Sequence, residues 1–330
     1  MISCASVYHH EIPAFLKPYL ETDAMQRLKQ IDMNCGMNYT SYPLFINIEA
    51  YSRFHHSLGC ALIVWHFTQD RKQTQAALFH DISTPVFSHV IDFVRFDYLK
   101  QESTENLTET FIRSDAGIME LLSKDGISVS EVRDYHLYPI ADNDSPKLSA
   151  DRLEYILGDL IDFRMTDEDT VRKIYNDLSV CINEDNEPEL CFKSEDIAAQ
   201  FLLFALKCGK IYSGDEDRYA MEKLALIIRK ALAEGILTEA DLYIGEDEVI
   251  NILKNSILQD ELHVFMSENA VIRTDMDDPE GIIIHAKKRC IDPLCINGKR
   301  ITEIRDDLKQ KILDFLGTGY DYPVKGVING

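Results

Sequence analysis

Cysteine is sparse in this chain. Eight occur in 330 residues, at positions 4, 35, 60, 181, 191, 208, 290 and 295, and no two have Cys-x-x-Cys spacing. That spacing excludes a zinc ribbon or a thioredoxin-type redox pair. In so long a chain it also argues against a disulfide framework, so buried or free thiols in a reducing compartment are expected. Long apolar runs are missing as well. The longest, near Phe201 to Leu206, falls far short of the roughly 20 residues that cross a bilayer. The N-terminus lacks the basic-then-apolar layout of a secretory signal. These absences predict a soluble, cytoplasmic protein with no membrane partner. Basic residues are few: 34 lysines and arginines face 56 acids, a net charge of −22. Such a field repels polyanions and excludes a nucleic acid duplex as the main partner. A small phosphate ester stays open, because a metal and a few local cations reverse the field at one spot. There is no internal repeat and no low-complexity run.

What is present is helical periodicity. An apolar share of 45% supplies a full core, and the length suits one large helical unit or a core plus a lobe. Residues 1–45 read as an N-terminal extension with one short helix, Ala24 to Gln30. Leu58, Ala61, Leu62 and Trp65 set a helical stripe through Arg53 to Gln69. A second helix runs from about Gln73 to His80 and is broken by Ile82-Ser-Thr-Pro85. Short helices follow at Val86 to Phe96 and in Ser103 to Ser123, then a loop from Asp134 to Lys147. The helix after it is the best specified: Ser149 is its N-cap, Leu148 and Leu153 form a staple, and Asp151 sits in the first turn. Further helices are expected at roughly 167–180, 195–212, 216–234, 246–254 and 257–267, and a last one from Ile301 to Leu316. Gly281 to Ile284, with Asn297-Gly298 as a turn, predicts a small β-hairpin near 280–300. The fold class expected is all-α. It divides into the extension, a core over 46–182, and a C-terminal helical lobe over 183–330, with Asn183 to Glu189 as a hinge or loop.

Three stretches carry chemistry: Arg53-Phe-His-His-Ser-Leu-Gly59, Phe79-His-Asp-Ile82 and Ser149-Ala-Asp-Arg-Leu-Glu-Tyr155. Imidazoles and carboxylates in this mixture suit a divalent transition metal with open positions for water and a substrate oxygen. Their order, His, His-Asp, Asp, resembles the HD superfamily of metal-dependent phosphohydrolases over about residues 50–165. It is most similar to the deoxynucleoside triphosphate triphosphohydrolase branch. The resemblance implies an HD-type helical core and the metal ligands His56, His80, Asp81 and Asp151. It also implies a divalent cofactor (Mn, Fe, Ni, Co, Zn or Mg) and hydrolysis of a phosphate ester of a nucleotide or similar small metabolite. By the same likeness Arg53, His89 and Arg152 contact phosphate, Tyr155 packs on the sugar, and Asp159 accepts a hydrogen bond from a sugar hydroxyl. Members of that branch often assemble, which leans towards a homo-oligomer.

The sequence departs from the branch at two histidines associated with proton transfer. Thr84 stands at the first position and Gln101 at the second, and neither is a general acid near neutral pH. Glu102, or His136 in the loop before the Asp151 helix, is the candidate replacement, alongside Asp81 in the catalytic set. Each of the two also reads as an exposed loop residue. The alternative function is therefore an HD scaffold that binds metal and nucleotide with little or no turnover. One further basic cluster, His285-Ala-Lys-Lys-Arg289, reads either as a solvated strand edge or as a site for a nucleotide phosphate.

Overall fold

The structure, a computed structural model, describes residues 5–46, 48, 51–96 and 107–329. Glu102 and Gln101 lie outside the described residues, as do residues 103–106 at the start of the stretch expected to hold two helices. The N-terminal part holds α1 (Ala5–Tyr8), α2 (Lys17–Leu20) and α3 (Asp23–Arg27). The long helix α4 (Arg53–Thr68) starts where Ser52 and His55 close a capping box, and it stops at Gln69, which takes the left-handed conformation at φ 53°. Next comes α5 (Arg71–Phe79), capped by the Asp70 carboxylate, which accepts from the Lys72 and Gln73 amides. Three shorter helices follow: α6 (Val90–Val94), α7 (Thr108–Ser114) and α8 (Ala116–Asp125). The Ser149 hydroxyl accepts from the Arg152 amide and opens α9 (Ala150–Asp162), with Leu148 and Leu153 both fully buried at the staple positions. Then come α10 (Glu168–Asn176), strands β1 (Leu178–Ile182) and β2 (Pro188–Phe192), α11 (Glu195–Tyr212), α12 (Asp215–Ala233), α13 (Glu246–Lys254) and α14 (Gln259–Ser267). The chain continues through β3 (Ala270–Arg273), β4 (Leu294–Cys295), α15 (Ile301–Ile304), α16 (Asp306–Leu316) and β5 (Val324–Val327).

The fold is mostly helical, and the all-α expectation needs correcting for two small sheets. One has the order β1-β2-β4, with β1 and β2 antiparallel and β2 and β4 parallel; the other pairs β3 with β5. The segment Asn183 to Glu189, expected as a hinge or loop, holds the turn of the β1–β2 hairpin and the first residues of β2. Its Asn183 Oδ1 accepts from the Asp185 and Glu187 amides at 3.0 Å each, and Asn186 takes φ 63°. The hairpin expected near 280–300 is present only as its Asn297-Gly298 turn, where the Gly298 amide reaches Cys295 O at 2.9 Å. Its flanks join in one antiparallel bridge, Leu294 with Arg300, while β4 pairs along its length with β2, burying Leu294 and Cys295 against Cys191 and Phe192. The hairpin also corrects the reading of every cysteine as an unpaired thiol. Cys181 and Cys191 lie on adjacent strands with Cα atoms 5.9 Å apart and form a disulfide.

Two apolar cores form. One gathers α4, α5, α9, α11 and the β1–β2–β4 sheet around Leu62, Phe79, Leu157 and Phe201. The other gathers α6, α12, α13 and α14 around Phe87, Leu224, Val249 and Phe265. Met165 and Tyr212 pack against both, and the chemistry-bearing side chains collect along this seam. No helix among the described residues is long and apolar enough to cross a membrane.

Candidate metal centre and substrate cavity

His56 projects from the first turns of α4, His80 caps the C-terminus of α5, Asp81 follows it, and Asp151 lies in the first turn of α9. The packing of α4 against α5 and α9 brings them together. His56 Nε2 is 3.2 Å from His80 Nε2 and 3.0 Å from Asp151 Oδ1. Asp81 Oδ2 is 3.5 Å from His80 Nε2 and 3.9 Å from His56 Nε2.

The outer hydrogen bonds of both imidazoles engage Nδ1 and turn Nε2 inward. His80 Nδ1 donates to Ala77 O at 2.7 Å, and His56 Nδ1 donates to Glu154 Oε2 at 2.6 Å. Two imidazole Nε2 atoms and two carboxylates converge in a set that fits a divalent cation, which would replace the Nε2 proton of His56. Cys60 also lies close, but its Sγ stands 3.8 and 3.7 Å from the two ring nitrogens of His56. Being nearly equidistant, the thiol flanks the imidazole and does not lie on the Nε2 lone-pair axis.

Both oxygens of Asp81 are held. Arg53 Nη1 donates to Oδ2 at 2.8 Å, and Thr84 Oγ1 donates to Oδ1 at 2.8 Å. Burial favours the neutral acid, but Arg53 and the two imidazoles outweigh it and keep Asp81 ionised well below the usual carboxylate range. Asp151 is likewise held below that range, the hydrogen bond with His56 overcoming its burial. Thr84, which stands where the resembled branch has a histidine, thus holds the Asp81 carboxylate.

Glu154 is the member that sequence reasoning missed. It lies on the buried side of α9, receives His56, and accepts a hydrogen bond from Tyr51. Two glycines make room for it: a Cβ on Gly59 would fall 2.3 Å from Glu154 Oε1, and one on Gly158 would fall 2.8 Å from the Tyr51 hydroxyl. The available signal was an acid among Leu153, Ile156 and Leu157 on an apolar helix face, one turn after a ligand.

The four side chains form one end of a cavity of about 180 Å³. Its walls include Arg53, His89, Tyr155 and Asp159 from the expected set. His89 caps α6, and its Nδ1 bonds Asp92 Oδ2 at 2.9 Å. Burial depresses its pKa against the pull of Asp92, so the ring is neutral near pH 7 and its Nε2 is an acceptor. The sequence-level expectation of a phosphate donor there meets this opposing geometry. Burial raises Tyr155 to about 12. Asp159 accepts a hydrogen bond from Tyr212, and burial pushes it up to about 7 against that bond, with Asp162 and Glu154 adding to the rise. Asp217, at the start of α12, shares this wall and is also raised, by burial and then by Asp159.

Two expected residues stand elsewhere. Arg152 turns back onto its own loop, donating to Asn143 Oδ1 at 2.7 Å and lying 3.3 Å from Asp142 Oδ1, because Ser149 and Asn143 surround its guanidinium outside the cavity. His136 is half exposed, with Nδ1 3.0 Å from Asp134 and Nε2 3.4 Å from Asp142. It does not line the cavity, whereas its neighbour Tyr135 does, tilted over the His80 ring at 5.0 Å between centroids. Lys287 and Arg289 of the basic cluster do reach the wall, with Phe45, Phe163, Tyr212 and Met221 opposite the ligands.

The architecture is that of a crystallised phosphohydrolase from Bacteroides thetaiotaomicron. The two superpose with a TM-score of 0.65 over 97% of each chain, at 15% sequence identity. Among curated proteins, the chain is 26% identical over 323 residues to the uncharacterized protein YdhJ of Bacillus subtilis (strain 168), covering 96% of this chain and 95% of that one. It is 30% identical over 160 residues to the metal-dependent phosphohydrolase cns2 of Cordyceps militaris, covering 48% of this chain and 44% of that one. No protein-family profile matches the chain.

Proposed function

We propose that this protein is an HD-type, metal-dependent phosphohydrolase that cleaves a phosphate ester of a nucleotide or a similar small phosphorylated metabolite. The observation that carries the reading is the convergence of His56, His80, Asp81 and Asp151 on one cavity wall, with outer hydrogen bonds already made by His56, His80 and Asp81. The similarity to cns2 and to the Bacteroides phosphohydrolase supports it. A divalent ion held by this set lowers the pKa of its water towards ~7 and polarises a phosphoryl oxygen.

The protein's own groups supply the rest. Arg53, tied to Asp81 and to Ser88 Oγ at 3.1 Å, presents a fixed planar cation beside the ligands. Tyr155 and Tyr212 offer aromatic surface, and Asp159 offers a carboxyl group that exchanges a proton near neutrality. These would seat a sugar or comparable hydroxylated moiety. The second reading, a binding module with little turnover, draws on Thr84: its hydroxyl is committed to Asp81 and supplies no proton to a leaving group.

The test is a screen of nucleotides and generic phosphate esters with added Mn, Ni, Co, Fe or Mg. Metal-stimulated turnover that disappears in Asp81→Ala, with helical circular dichroism retained, is expected. Nucleotide binding without turnover under every metal would favour the second reading and sink the first.

A further inference from the structure

The His285-Ala-Lys-Lys-Arg289 cluster lies in a stretch, residues 283–293, without regular secondary structure. It is nevertheless fastened along its length. Ile282 exchanges two backbone hydrogen bonds of 2.9 Å with Val324. Ile284 O accepts from the buried Arg218 guanidinium. Lys288 turns outward, donating to Leu316 O at 2.7 Å and to Thr318 O, while Asp292 N reaches Pro146 O at 2.8 Å and Ile291 is buried. α11 comes so close that a Cβ on Gly209 would lie 3.3 Å from the Arg289 carbonyl oxygen. Lys288 therefore faces away while Lys287 and Arg289 face the cavity, an alternation set by the extended backbone.

The charges on the cavity wall give this placement its meaning. Asp81, Asp151, Asp159 and Asp217 line the cavity, and Arg53 is ion-paired with Asp81. A phosphate monoester is itself an anion, and the whole chain carries −22. A bound divalent ion offsets the ligand carboxylates, which leaves the incoming anion to be matched by other cations. Arg289 also lies close enough to His89 and Tyr155, both on the same wall, to influence them electrostatically.

Resting on the phosphohydrolase reading, we propose that Lys287 and Arg289 are its specificity-determining anion clamp, taking the non-bridging oxygens of the substrate's phosphate in the role that sequence reading gives to Arg152. Arginine supplies a bidentate fork and lysine a point charge, a pairing suited to a tetrahedral oxyanion.

The experiment uses the full chain loaded with manganese and titrated calorimetrically with inorganic phosphate and, separately, pyrophosphate. Lys287→Ala/Arg289→Ala is compared with wild type, with Arg152→Ala and with the surface variant Lys311→Ala. The double variant is expected to bind phosphate about 10- to 100-fold more weakly, the range of lost charge-assisted hydrogen bonds, with manganese content unchanged. Its affinity should also respond less to added salt. Lys311→Ala should match wild type. Wild-type phosphate affinity in the double variant overturns the clamp, and so does a wild-type protein that takes manganese yet binds neither anion. Turnover lost in Asp81→Ala but untouched in the double variant would overturn the clamp while leaving the hydrolase standing. A wild type that binds phosphate through these two residues but hydrolyses no ester would keep the clamp and overturn the hydrolase.

Discussion

At the scale of single residues, the four proposed ligands were legible as candidates because each sits in a local motif. Arg53 to Gly59 and the His80-Asp81 pair need no knowledge of long-range contacts. Glu154 was not readable, since nothing local says which face of α9 its carboxylate takes until α4 packs there. Its role makes a direct prediction. A carboxylate on the far nitrogen of a ligating histidine fixes the tautomer and raises its basicity, and such partners contribute about 10- to 100-fold in metal affinity. Glu154→Gln, which keeps the shape, should lose that much by manganese titration while melting cooperatively like wild type. Unchanged metal affinity would reduce Glu154 to a packing residue. Arg152 illustrates the opposite error: adjacency to Asp151 in sequence implied adjacency to substrate, but successive helical residues diverge by about 100°, and Asn143 draws the guanidinium away.

At the scale of elements, most helices were legible from apolar periodicity and caps, and α11, α13 and α14 fall close to the spans read from sequence. The strands were not, because β2–β4 and β3–β5 join residues remote in sequence, and no local period encodes such pairing. The turn before α6 was equally opaque. Phe87 and Ser88 occupy left-handed conformations, at φ 57° and 50°, without being glycine. Glu246, at the start of α13, holds this turn: its Oε1 accepts from the Phe87 amide at 2.9 Å and the Asp32 amide at 3.1 Å. Through Ser88 Oγ the turn also positions Arg53. Burial, reinforced by Asp32, pushes Glu246 up to about 8 against those donors. Folding therefore favours the protonated form. Its contribution is complete below the ordinary carboxylate pKa and is lost as pH rises through about 8. Glu246→Gln keeps an acceptor and cannot ionise, so its melting temperature relative to wild type should rise between pH 5 and pH 9. A difference that is flat with pH would remove Glu246 as the titrating group.

At the scale of the whole molecule, the proposed ligands bridge three helices of one core, and part of the remaining cavity wall, Phe45, Phe163 and Met221, comes from the second core across the seam. An ion that binds only this arrangement stabilises it by mass action, about 4 kcal/mol when free metal exceeds its Kd roughly 1,000-fold. At roughly 2–4 °C per kcal/mol for a large domain, chelation should lower the melting temperature by about 8–16 °C, as a scan with and without chelator would show. No shift would mean that the four side chains hold no metal in solution. Composition argued against a nucleic acid duplex by way of the net charge and left a small phosphate ester open. It could not show that the few cations needed would come from residues 287 and 289, because their destination depends on Val324, Gly209 and Leu316.

The fastening of Ile282 to Val324 has a consequence for the order in which the cavity arises during synthesis. A ribosome delivers His56, His80, Asp81 and Asp151 before the midpoint of the chain. The basic stretch emerges much later, and the strand that anchors it, Val324–Val327, later still. The ion-binding end is thus specified by a nascent chain whose anion-facing wall has no anchor yet. In vectorial terms, the half of the pocket that attracts metal precedes the half that makes a phosphate worth admitting.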